Sequence, residues 1–131
     1  MHKISSMTVK KQKKSENNLL HTIIDGIQEV KGKEIVKIEI NTLEHSVFDY
    51  FVICHGDSST HVNAIAGSVE RFTIKEHKES PLHIEGRQNS QWILLDYGNI
   101  AVHVFQEPFR QFYKLEDLWS DGIIEHIKDL N

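Results

Sequence analysis

The sequence is poor in the residues and runs that mark several large protein classes. It has one cysteine, Cys54, in 131 residues, which excludes an intrachain disulfide framework. No apolar stretch approaches the roughly 20 residues that cross a bilayer. The first residues carry no apolar core of a signal peptide, so the expected location is the cytoplasm. Two prolines and seven glycines are all the strong punctuation there is, and no low-complexity linker divides the chain. Basic charge is not in excess either. Fifteen Lys and Arg against nineteen Asp and Glu give a net charge of -4, which argues against a broad phosphate-binding surface and leaves RNA contact peripheral at most.

Catalytic signatures are equally scarce. A Walker lysine, a three-glycine dinucleotide fingerprint and a Gly-x-Ser-x-Gly elbow are all missing. Cys54 has no histidine or second cysteine at zinc-ligand spacing, and the nine histidines are scattered. No metal or cofactor is therefore expected. One pair on neighbouring strands, Asp96 and His103, has the composition of an orienting carboxylate and a general base. A structural or interface hydrogen bond accounts for the same two residues.

What the chain does have is a hairpin with two unlike faces. The runs Trp92 to Tyr97 and Ile100 to Phe105 flank Gly98-Asn99, a pair suited to a tight two-residue turn. That loop sets Tyr97 opposite Ile100, Leu95 opposite Val102 and Ile93 opposite Val104, and strand alternation puts all six on one apolar, core-forming side. The other side carries Trp92, Leu94, Asp96, Ala101, His103 and Phe105. Large apolar groups beside a carboxylate and an imidazole suit either cover by a helix or contact with another macromolecule.

The remaining elements follow from period. Residues 1–15 hold five lysines and no clear apolar repeat, and read as a mobile basic arm. From Asn17 or Asn18, Leu20, Ile23, Ile24 and Ile27 recur at helical spacing up to Gly32. Glu34 to Asn41 alternates as a half-buried strand, a turn follows from Thr42 to Ser46, and Tyr50 to Cys54 reads as a central strand with a buried thiol. Asp57, Ser58 and Ser59 cap a helix from His61 to about Lys75. The amides at its start suit an anion, though capping explains them without one. Pro81 to Gly86 has the marks of an edge strand. Glu107 and Pro108 start a last, aromatic helix containing Phe109, Phe112 and Tyr113, continuing to Leu115, Leu118 and Trp119, most of which should pack on the sheet. The fold class is thus α/β, a mixed sheet of about five strands with flanking helices, in a single domain over 16–120. Residues 121–131 form a C-terminal tail whose Ile123, Ile124 and Ile127 suit a frayed helix.

Several of these pieces, in this order, resemble the ribosomal silencing factor (Iojap-like) family: Asp49 to Cys54, Gly56 with Ser58-Ser59, His61-Val62, Ile65-Ala66, Glu85-Gly86, Trp92 to Gly98, Val102 to Phe105, Arg110, Phe112-Tyr113, Leu115-Glu116 and Leu118-Trp119. The resemblance implies a nucleotidyltransferase-like fold without that fold's enzymatic carboxylate pattern. It implies a non-enzymatic translation repressor, often a homodimer, that binds the large ribosomal subunit through its fourteenth protein and blocks joining of the small subunit. It also makes Trp92, Leu94, Asp96, His103, Arg110, Tyr113 and Trp119 the expected partner-binding residues. The other readings are a nucleotidyltransferase-like enzyme using Asp96 and His103, and a ribosome assembly factor using the lysine arm.

Overall fold

A computed structural model describes residues 2–40 and 47–129, with side chains from Lys14 onward. The turn expected from Thr42 to Ser46 lies outside the described residues. The elements run α1 (His2–Glu29), β1 (Lys33–Glu39), β2 (Tyr50–Gly56), α2 (Ser59–His77), β3 (His83–Glu85), β4 (Trp92–Asp96), β5 (Ile100–Gln106), α3 (Glu107–Tyr113), α4 (Leu115–Leu118) and β6 (Ile123–His126). The strands form one sheet in the order β3-β4-β5-β2-β1-β6. Among the described residues only β2 and β5 pair in parallel. This is the expected mixed α/β architecture with one strand more.

The extra strand is the segment read as a frayed helix. Ile123 to His126 pairs antiparallel with β1, setting Ile123 against Glu39 and His126 against Val36. A short run of apolar residues fits a strand or a helix equally well by period alone. Here β1 offers an open row of backbone groups, and β-branched isoleucines suit that surface. The second correction is at the other end. The lysine segment read as a structureless arm is helical backbone, continuous with α1, so Asn17 and Asn18 lie inside the helix and do not cap it. No proline or glycine occurs before Gly26, and a helix already nucleated propagates cheaply through Lys, Gln and Met.

The sheet separates two cores. On one face α1 and α2 pack through Leu20, Ile23, Ile27, Val62, Ile65 and Val69 onto Val52, Cys54, Ile93, Leu95, Val102 and Val104, all buried. The hairpin register is as its turn dictates: Leu95 pairs with Val102, Ile93 with Val104, and the Tyr97 amide donates to the Ile100 carbonyl at 2.9 Å. Tyr97 is tied to α2 by a 2.9 Å bond between its hydroxyl and that of Thr73. Cys54 is a sealed structural thiol, pushed up to about 12 by burial.

The start of α2 is capped by its own chain. The Ser58 hydroxyl accepts from the His61 amide at 3.0 Å, and the Asp57 amide donates to His61 Nδ1 at 3.0 Å. With Nδ1 accepting, Nε2 carries the proton and donates to the Val30 carbonyl at 2.7 Å, stapling the end of α1 to the start of α2. The capping reading of this turn holds.

Gly86 shapes the entry to β4. Its φ is 91°, and an added Cβ would overlap the carbonyl oxygen of Trp92. A left-handed conformation alone costs a substituted residue about 1 to 2 kcal/mol. Gly86→Ala is therefore expected to lower the urea-derived unfolding free energy by at least that amount, and an unchanged value would show that the turn rearranges freely.

Candidate functional site

The second face of the sheet is covered unevenly, and its uneven cover defines the site. α3 and α4 span only seven and four residues, too short to roof six strands. Phe51, Ile53, Ala101 and Phe105, on β2 and β5, are buried with Val36, Ile38 and Leu115. On β4, the column Trp92, Leu94 and Asp96 stays half-buried. The mixed hairpin face thus splits down its middle: the β5 half is core, and the β4 half opens outward.

Trp92 is the centre of that opening, and three groups hold its ring. It stacks on Phe105 at 4.8 Å and leans on Tyr113 at 4.9 Å, and its indole N–H donates to His103 Nδ1 at 3.0 Å. Beneath it, His103 meets Phe51 edge-on at 4.7 Å, and Phe51 in turn meets Trp119 at 5.1 Å. His103 is 6% exposed, and burial pushes its pKa down to about 3. It is therefore neutral, with Nδ1 accepting and Nε2 protonated. That Nε2–H is the one buried side-chain polar atom without a hydrogen-bond partner among the described residues.

The expected residues fall into three groups. Trp92, Leu94, Asp96 and Tyr113 share the opening, with Trp119 at its half-buried edge. His103 lies underneath, so the notion that it completes an exposed patch is corrected: it supports Trp92 from below. Nor do His103 and Asp96 meet. Asp96 Oδ1 accepts the Gly98 amide at 2.7 Å in the hairpin turn, and His103 stands opposite Leu94. The acid-base pair on which an enzymatic reading rested is not formed.

Arg110 is the third case. It is 7% exposed, and its guanidinium is engaged inside the chain. Nε donates to Glu116 at 2.9 Å, and Nη1 donates to His55 Nδ1 at 3.0 Å and to the Lys33 carbonyl at 3.4 Å. Because arginine can only donate, His55 must accept, and burial together with the Arg110 charge lowers its pKa. Arg110 therefore clamps α3 and α4 to β1 and β2. Beside it lies a cleft of about 870 Å³ lined by His55, Arg110, Glu116, Ile124 and His126 among others. Acids and bases alternate there, and no group of three metal-ligating side chains converges among the described residues.

Sequence periodicity missed Phe112 and Leu118. Most of their segment was expected on the sheet, yet these two are 78% and 75% exposed. Phe112 packs edge-on against Tyr113 at 5.2 Å, so Trp92, Tyr113 and Phe112 form one aromatic ridge. A seven-residue helix makes barely two turns, so its aromatics cannot all face inward. That count was the available signal.

The family model described as "Ribosomal silencing factor during starvation" matches residues 12–131. The chain belongs to the ribosomal silencing factor family. It is 32% identical to the ribosomal silencing factor of Halalkalibacterium halodurans over 82% of this chain and 91% of that one. A crystal structure from Chromobacterium violaceum superposes with a TM-score of 0.74 at 31% identity, covering 79% of this chain and 85% of that one. A more distant relative in mouse is named "Mitochondrial assembly of ribosomal large subunit protein 1". It is 26% identical over 75% of this chain and 43% of its own length.

Proposed function

We propose that this chain docks on the large ribosomal subunit, through that subunit's fourteenth protein, and sterically prevents the small subunit from joining, so lowering translation without breaking a bond. The observation that supports this most is the half-open column of Trp92, Leu94 and Asp96 flanked by Tyr113, on a face whose neighbouring strands are buried. Trp92 is the anchor. Its ring is already fixed by Phe105, Tyr113 and His103, so docking would cost little side-chain entropy. One oxygen of Asp96 is used by the turn, which leaves the other to accept from a basic group. Leu94, Tyr113, Phe112 and Trp119 supply apolar area around them, while His103 and Arg110 hold the surface from behind.

Sedimentation of the purified protein with isolated large subunits, small subunits and joined ribosomes tests the reading. Co-sedimentation with large subunits alone, and fewer joined ribosomes on addition, is the expected result. Association with small subunits, or with neither, overturns it. The mouse relative's name favours one other use of the same face, in assembly of the large subunit. That use requires tighter binding to immature than to mature large subunits. We also propose that the chain forms a homodimer, as the resemblance implies, and sedimentation of the protein by itself at twice the monomer mass is the expected result.

A further inference from the structure

Charge is segregated along this chain, and the fold sets the boundary at the tip of the site hairpin. Residues 1–15 hold Lys3, Lys10, Lys11, Lys13 and Lys14 and no acid, leaving ten Lys and Arg against nineteen Asp and Glu in the rest. The body is thus strongly acidic and one end of one helix strongly basic. α1 runs unbroken from the lysines into Leu19, Leu20, Ile23 and Ile27, which are buried against the domain. At about 1.5 Å per residue the segment before Glu16 amounts to about 20 Å of helix.

Where that segment leaves the domain is also recorded. Asn99 Nδ2 donates to Glu16 Oε2 at 2.6 Å, and Asn99 is the tip of the hairpin whose Gly98 amide binds Asp96. Lys10, Lys11, Lys13 and Lys14 therefore stand within two turns of the residue touching that tip. This arrangement works against the helix. Lys10 with Lys14, Lys10 with Lys13, and Lys11 with Lys14 are like-charge neighbours one turn apart. Cations in the N-terminal part of a helix also oppose its dipole. A polyanion laid along the segment relieves both penalties.

We propose that the N-terminal half of α1 is a basic rod that binds the RNA phosphate backbone next to the protein contact made by the Trp92 face. This rests on the docking reading above, which places the chain on a particle built largely of RNA. An acidic body gains little by approaching such a surface unaided. The rod offsets that repulsion and sets the angle of approach.

The test uses the full chain and a variant with Lys10, Lys11, Lys13 and Lys14 all replaced by Gln, which keeps helix propensity and removes the charge. Affinity for large subunits is measured from about 50 to 200 mM salt, where each neutralised phosphate contributes a slope of about 0.7 to 0.9 in log K against log salt. The variant is expected to bind at least about tenfold more weakly at the lowest salt, with a slope shallower by about 2 to 3. Equal affinity and equal slope overturn the proposal. If the unaltered chain fails to bind subunits at all, the docking reading has failed, and a gel shift on protein-free large-subunit RNA still decides the rod. Loss of that shift in the variant supports the rod, and an unchanged shift overturns it. Equal capture of the unaltered chain by phosphatidylserine vesicles and by RNA also overturns it, in favour of an unspecific anion surface.

Discussion

Trp92→Ala is expected to weaken binding to large subunits by about 100-fold while leaving a folded domain. Buried aromatic anchors at the centre of an interface typically account for about 2 kcal/mol or more, and the change removes a ring held by Phe105, Tyr113 and His103. Because the ring also stacks on Phe105, the same variant should lose about 1 to 2 kcal/mol of stability, less than a fully buried aromatic would. Circular dichroism and a urea melt separate the two effects. If the variant unfolds, Leu94→Glu reads the same surface, because Leu94 is half-exposed and lies one alternate position along the strand. Normal sedimentation of either folded variant would show that the β4 column is not the contact.

Acid should loosen the domain through His103. An unfolded histidine titrates near 6.5, whereas in the fold burial holds His103 down to about 3. Between those values only the unfolded chain binds the proton. The stabilising contribution is therefore complete above about pH 6.5 and is lost as pH falls toward 3, at about 1.4 kcal/mol per unit. From pH 7 to pH 5 that amounts to about 2 kcal/mol. His55, also lowered, acts with the same sign. His103→Gln keeps an acceptor for the Trp92 indole and removes the titration. Its urea-derived stability should fall less than that of the parent over the same interval. Parallel curves would mean that His103 is protonated in the native state and that Trp92 is held otherwise.

The parts of this molecule that were legible in the sequence are those set by short-range rules. Gly98-Asn99 determined a turn, the turn determined a register, and alternation assigned Ile93, Leu95 and Tyr97 to one face and Trp92, Leu94 and Asp96 to the other. Which half of that second face is roofed depends on how far α3 and α4 reach, and no period encodes that. The role of Arg110 was hidden for a related reason. His55, Lys33 and Glu116 converge on it from separate elements, so a residue that looks like a surface cation proves to be an internal clamp. β6 escaped because four residues are too few to show a period, and its partner strand lies more than eighty positions earlier. The lysine segment misled in the opposite direction: polarity without apolar rhythm suggested no structure, while the absence of any breaker let α1 run on.

The parallel pairing of β2 with β5 has a further consequence. Phe51 and His103 lie on strands fifty residues apart, and the seat of Trp92 is completed by Phe105 from β5 and Tyr113 from α3. A fragment without β2 therefore leaves His103, which accepts the Trp92 indole N–H, without the Phe51 ring beneath it. A chain clipped between β2 and β5 would thus keep its aromatic column and lose what steadies it from below.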